Sequence, residues 1–261
     1  MADLATRALA VLAVADPAHK VALTRALAAD WRAGVVPPPS SPPVPDRPAR
    51  PARPVLVRPG GVKRRKIGAS PAGRVALLHA VAHIELNAID LAWDMVARFA
   101  GQGMPQAFSD DWVAVAADEA EHFALLDARL ADFGTAYGEL PAHGGLWEAA
   151  GRTAHDLLAR LAVVPMVLEA RGLDVTPAMV ARLDLAGDRA SADVLRRIHA
   201  EEVAHVAAGT RWFFWVCRGR GLDPAPTWRS LVAEFSDGVL KPPFNDAARE
   251  QAGMPRPFYA A

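Results

Sequence analysis

The chain has 261 residues, 52% of them hydrophobic, with 29 basic and 29 acidic side chains and no formal net charge. That length suits one large domain or two small ones, and the charge balance removes any global electrostatic drive toward nucleic acid or a membrane. The single cysteine, Cys217, excludes an internal disulfide and any cysteine-rich zinc or iron–sulfur site, and it fits a reducing cytoplasm.

Residues 1–34 read as an N-terminal helical segment, with Leu4, Ala8, Leu12, Val21, Leu23 and Leu27 at helical spacing. The apolar run near the start makes a poor signal peptide, because Asp3 precedes it and the periodicity continues to Trp31. No apolar run approaches the roughly 18–20 residues of a membrane span. Residues 35–69 are dense in proline, which fixes φ and lacks an N–H, so this segment is extended rather than helical. Arg47, Arg50, Arg53, Arg58 and the run Lys63-Arg64-Arg65-Lys66 make it basic. It is either a solvated linker or an arm laid over the domain, and a polyanion such as RNA is its alternative partner.

From residue 70 to 221 the pattern is helical almost without a break. Four long helices are expected at about 72–100, 109–133, 145–171 and 188–218, with Ser109 as an N-cap and a short helix starting at Thr176-Pro177. Each long helix ends in arginine followed by glycine, at Arg98/Gly101, Arg129/Gly134, Arg171/Gly172 and Arg218/Gly219. Pro165 removes a hydrogen bond inside the third helix and predicts a kink there. Residues 222–261 form a tail packed on the bundle, with one short helix near 228–235. The fold class is therefore all-α, a four-helix bundle with an N-terminal helical extension and a proline-rich arm.

Glu119 and His122 stand three residues apart on the second long helix, and Glu202 and His205 repeat that spacing on the fourth. Each pair shares a helix face. With 10 glutamates and 8 histidines in 261 residues, about 0.3 such pairs are expected by chance. Glu85 and Glu169 stand alone on the first and third helices. Glu85 precedes Glu119 by 34 residues and Glu169 precedes Glu202 by 33, so the chain holds two helical hairpins each carrying Glu…Glu-x-x-His. All six lie on apolar helix faces. Any one of them alone reads as a solvated glutamate or a satisfied core histidine. Together, four carboxylates in one interior repel, and two divalent cations ligated also by two imidazoles would offset them.

Glu, Glu-x-x-His, Glu, Glu-x-x-His on four helices resembles the ferritin-like di-iron carboxylate superfamily, an arrangement well known for helical bundles. More closely, the stretches from His79 to Asp94, Asp118 to Leu130, Pro141 to Glu148, Thr153 to Pro177 and Pro242 to Asn245 resemble the DUF455 family over most of 70–250. The superfamily resemblance implies terminal ligands at Glu85 and Glu169, bridging ligands at Glu119 and Glu202, and one histidine per metal at His122 and His205. It also places Asp118 and Glu201, the acids before each Glu-x-x-His, where they would orient the histidines. His199, one turn before Glu202, is a further candidate around the ligands.

The implied cofactor is two divalent metal ions, iron favoured and manganese the alternative. The implied activity is O2- or peroxide-dependent oxidation, by a hydroxylase or oxidase of an unidentified substrate. The radical tyrosine of ribonucleotide-reductase small subunits lies one turn after the first site histidine; Leu126 stands there, which speaks against that role. A rubrerythrin's four-cysteine iron domain is absent, and storage ferritins lack a second Glu-x-x-His. A tRNA-modifying hydroxylase using the basic arm, a peroxide-handling enzyme of the manganese-catalase type and a non-catalytic metal-binding scaffold are the alternatives. The expected partners are a small-molecule or RNA substrate and an electron donor, with no membrane; a homodimer is compatible with this reading. Cytoplasmic localisation is expected.

Overall fold

The computed structural model describes residues 1–58, 70–236 and 240–259. Among these the protein is all-helical, with no strand; the sole β-type pairing is an isolated parallel bridge between Leu56 and Ala142. The basic run 63–66 lies outside the described residues. The chain divides into two compact units, Met1–Trp147 and Glu148–Ala261.

The first unit is built around one buried helix. Helix α1 spans Leu4–Leu12 and α2 spans Pro17–Arg32, and each starts on an aspartate cap. Asp3 accepts from the Thr6 amide and Asp16 from the His19 amide, which satisfies amides that a helix start leaves orphaned. Helix α3, Pro71–Met95, continues through a π-helical turn at Val96–Ala100, and α4 spans Gln106–Asp132. The start of α4 precedes Ser109, which is buried inside the helix instead of capping it; Pro105 holds the N-cap position.

Every residue of α3 from Glu85 to Met95 is buried, because α1, α2 and α4 pack around it. Burial on all sides forces its polar groups into pairs. Asp90 binds Lys20 of α2 and lies 3.4 Å from the Arg50 guanidinium, while Asp94 takes Arg98 at 2.9 Å. Burial pushes the Asp90 carboxyl up and the Lys20 amine down, against the attraction between them. Trp93 Nε1 donates to Thr24 at 3.0 Å and Trp31 Nε1 to Asp110 at 2.9 Å, fastening α2 to α3 and α4. By length and composition Pro71–Ala100 is apolar enough to cross a membrane, unlike the sequence expectation of no such run. Most of its apolar stretch is buried within the fold, and it carries Glu85, Asp90 and Asp94.

The proline-rich segment up to Arg58 lies on this unit. The Ala49 amide donates to Leu12 O, Arg98 to Pro45 O, Trp147 Nε1 to Asp46 O, and the Val57 and Ala142 amides complete the bridge. A methyl group on Gly101 would stand 2.1 Å from Ser40 O, so this glycine serves close approach rather than a left-handed turn. Of the expected glycine stops, only Gly134 has positive φ; the fourth long helix ends instead at left-handed Gly221.

The second unit departs from one long third helix. Helix α5, Gly145–Arg152, stops at 153–156, and α6 restarts at Leu157–Val163 under an Asp156 cap. Buried Arg160 donates to Ala150 O at 2.7 Å and to Thr153 Oγ1 at 3.0 Å, closing the end of α5. A π-helical segment, Val164–Glu169, follows and runs directly into α7, Ala170–Leu185. Thr176-Pro177 therefore lies inside a helix and does not start one. Helix α8 spans Arg189–Arg220, α9 spans Pro224–Phe235 and α10 spans Asp246–Gln251.

Within this unit the tail from α10 onward is held to α7 by a buried bidentate pair. Arg249 meets Asp174 at 2.8 and 2.7 Å, the Asn245 amide adds a bond to Asp174 at 2.9 Å, and Phe244 and Tyr259 flank the guanidinium. Removing one partner of such a pair leaves a charge buried alone. Asp174→Ala is expected to lower unfolding free energy by about 3–5 kcal/mol, read from urea unfolding. A loss below about 1 kcal/mol would assign the docking to the aromatic contacts instead.

Candidate metal centre

Helices α3 and α4 are joined by the short connection 101–105 and pack along each other. That packing brings Glu85 of α3 to Glu119 and His122 of α4. Glu119 and His122 share a face because they are three residues apart on one helix. His122 Nδ1 lies 3.4 Å from Glu119 Oε2 and 3.6 Å from Glu85 Oε2, and all three side chains are buried. One ligand atom from each falls within 4.8 Å of the others.

Burial opposes a charged imidazole, but the flanking carboxylates of Glu119 and Glu85 outweigh it and push His122 up to about 11. The site thus draws positive charge to itself. Two carboxylates and one imidazole in the protein interior are a hard-to-borderline O/N donor set, of the kind that binds divalent cations. This buried group can hold a metal ion.

In the second unit, Glu202 and His205 of α8 repeat the geometry, with His205 Nδ1 3.5 Å from Glu202 Oε2 and both side chains buried. Glu169 closes the π-helical segment, which packs against α8, and is half-buried where Glu85 is buried. The two Glu-x-x-His pairs are thus alike in local geometry, while the lone glutamates sit on different backbones: a regular α-helix for Glu85, a π turn for Glu169. Pro165 accounts for the difference, since it lacks the N–H that a regular turn needs. Trp228 Nε1 donates at 3.2 Å to Ala162 O, in the turn before the proline.

Asp118 is half-buried on α4. Glu201 is turned toward Arg197 at 3.1 Å, and His199 Nε2 donates to Leu173 O at 3.2 Å. His79 and His83 point away from Glu85's face: His79 Nε2 accepts from the Gly138 amide at 2.9 Å, and His83 Nδ1 faces Tyr137 Oη at 2.8 Å. Burial pushes His83 down to about 4. Sequence reasoning noted Tyr137 as one of two tyrosines and gave it no role. It lies in the irregular stretch after α4, where no periodicity predicts which way a side chain points.

These features define the class: among the described residues, an all-helical protein with a buried glutamate–histidine group that could hold a metal ion. The family model described as "Protein of unknown function (DUF455)" matches residues 13–260, and the chain belongs to that family. It is also similar to an uncharacterized protein of Haemophilus influenzae, 41% identical over 207 residues, which covers 77% of this chain and 71% of that one. No solved structure matches the chain.

The π segment is seated by a glycine. A methyl group on Gly209 would fall 2.3 Å from Pro165 Cβ and 2.5 Å from Cγ, against a ring that cannot turn aside. Gly209→Ala is expected to cost about 1–3 kcal/mol through overpacking. Gly219→Ala, on the same helix with nothing within 4 Å, is expected to stabilise by roughly 0.5–1 kcal/mol. Thermal unfolding of the two variants beside the parent checks the pair, and equal effects would refute the contact argument.

Proposed function

We propose that the chain is a di-metal carboxylate oxidoreductase of ferritin-like four-helix architecture. It uses Glu85, Glu119 and His122 together with Glu169, Glu202 and His205 to hold two divalent metal ions, iron favoured and manganese the alternative. The observation that carries this reading is the buried Glu85–Glu119–His122 group, whose ligand atoms lie within 4.8 Å of one another. The Glu202–His205 pair at the same spacing and nearly the same internal distance supports a second, equivalent half-site. Carboxylates buried in this number need countercharge, and neutral imidazoles complete a divalent coordination sphere without adding to it.

Such a metal pair, when bound, supplies the electrons for reducing O2 or peroxide. The chain's own part is to fix the ligands and to keep bulk water away. Helix α3 does both, because its buried length holds Glu85 in place and covers it. Asp118 and Glu201 would orient the histidines from behind, and His199 would stand beside them. The reaction class is hydroxylation or oxidation of a substrate not identified by the site. Under the competing reading the same ligands hold metal in a non-catalytic scaffold. An RNA substrate would be gripped by the basic arm, where Arg47, Arg53 and Arg58 are exposed while Arg50 is turned onto Asp90.

Metal content decides first. After anaerobic loading with Fe(II) or Mn(II) and desalting, about two ions per chain are expected; fewer than about one would overturn the site. Glu119→Ala is expected to lose metal, and a variant that still held both ions would refute the ligand assignment. Loaded protein is expected to consume O2 or peroxide; stable metal with neither consumed would favour the scaffold.

A further inference from the structure

Arg50, on the extended arm, has more donors than the fold gives it acceptors. The neighbouring Ala49 amide seats the arm by donating to Leu12 O at 2.8 Å. Arg50 Nη1 lies 3.4 Å from Asp90 Oδ2 without forming a hydrogen bond, and Nη2 finds no acceptor among the described residues. Both nitrogens are buried, although 25% of the side chain as a whole meets solvent. Asp90 cannot take the guanidinium in a two-pronged grip, because Lys20 Nζ holds its other oxygen. One face of the guanidinium is covered as well. Trp147 lies against it, with Cζ 5.7 Å from the ring centroid, and its own Nε1 is fastened to Asp46 O at 2.9 Å. The Nη1–Nη2 edge is what Arg50 has left. Charge is out of balance at the same place. Lys20, Arg50 and Arg98 face two carboxylates, Asp90 and Asp94, which leaves one positive charge in excess. Burial pushes the Lys20 amine down, Asp90 pulls it up, and the charge of Arg50 adds to the push. Charged donors buried without an acceptor are costly, so this edge calls for an anion.

We propose that the Nη1–Nη2 edge of Arg50 binds a small planar oxyanion, through the O–C–O edge that a simple carboxylate and bicarbonate share. Two parallel N–H···O bonds engage both orphaned nitrogens at once, the geometry in which a guanidinium grips a flat pair of oxygens. The single negative charge matches the single positive excess. A phosphate dianion overshoots that excess and doubles the repulsion from Asp90. A halide has the right charge and lacks the second acceptor atom. Lys20 does not compete for the ligand, because its ammonium is engaged by Asp90. The site lies one side chain beneath the surface, since the stem of Arg50 reaches solvent while its nitrogens do not. That depth suits a small ion, or the carboxylate end of a small molecule, better than a bulky ligand. Bound there, the anion ties the arm to α3 beside the hydrogen bonds that Ala49 and Arg98 already make. The site shares no residue with the glutamate–histidine group and stands whether or not that group holds metal.

The test titrates the full chain with isotope-labelled formate and, separately, with labelled bicarbonate, in sodium chloride at constant ionic strength, and follows the NMR line width of the labelled carbon. Saturable broadening is expected, and the ion that binds more tightly names the source of the group, an organic acid or bicarbonate. Arg50→Lys keeps the charge and loses the fork, so it should weaken binding roughly tenfold or more. Arg50→Gln should abolish it. Arg47→Lys, at an exposed arginine of the same arm, should bind as the parent does. A measurement without variants guards against loosening of the arm: crystals of the unaltered chain soaked in formate should show the ion bidentate on Arg50. Saturable binding of neither ion would overturn the proposal, as would binding unchanged in Arg50→Gln or an ion seated elsewhere. Chloride or phosphate displacing formate at equal concentration would overturn the planar two-oxygen reading.

Discussion

The cost of a carboxylate in a helical core governs this protein. Glu85 and Glu119 are buried in the first unit, and His122 lies between their oxygens at 3.4 and 3.6 Å. An isolated charge there would be intolerable, so the group persists only with countercharge. In protein without metal, a protonated His122 supplies one positive charge against two negative ones. A divalent cation held by Glu85, Glu119 and His122 would supply two, with the imidazole neutral as a ligand. The same economy runs along α3. Asp90 and Asp94 are equally buried, yet each faces a basic side chain: Lys20 and Arg50 for one, Arg98 for the other. Glu85 and Glu119 face histidine and each other. That contrast sets Asp90 and Asp94 apart from Glu85 on the same helix.

The irregular parts of the fold follow from where those charges must sit. The proline-rich arm looks like a linker by composition, yet up to Arg58 its backbone carbonyls and amides are engaged with α1, α3 and the stretch before α5. An extended chain with few amide hydrogens can lie on a helical surface because it has few donors to satisfy. It brings Arg50 to Asp90 and so completes the pairing on one side of α3. In the second unit, Pro165 and Gly209 are a matched pair: the proline opens a π turn and the glycine admits its ring. Glu169 is carried on that turn, which sets it apart from Glu85 despite the sequence repeat. π turns inside α-helices recur at functional sites, where they re-aim side chains.

The sequence shows the chemistry more clearly than the path of the chain. Glu-x-x-His is visible because helical periodicity ties spacing to facing, and Glu119 with His122 does converge on Glu85. The helical class is equally plain, since no alternation of period two occurs from 70 to 221. What is not legible depends on tertiary context. The break after α5 is closed by Arg160, a cation that composition assigns to the surface but whose guanidinium binds Ala150 O and Thr153. Pro177 reads as a helix start, yet α7 runs straight through it, because a helix packed along its flank tolerates one missing hydrogen bond. Apolar periodicity could not identify the outer faces of α3, because a helix buried all round has no polar face.

Tyr137 marks the limit of the one-dimensional reading. The loop after α4 turns back over α3, and the Gly138 amide is pinned to His79. That anchor holds the neighbouring phenol against His83. His83 stands two residues before Glu85, so its ring points to the opposite side of α3 from the ligand face. One helix therefore presents the Glu85 carboxylate toward Glu119 and His122 of α4 on one side and the His83 imidazole toward the Tyr137 phenol on another. Groups far apart in sequence are thus set side by side by the backbone, and sequence distance carries no information about it.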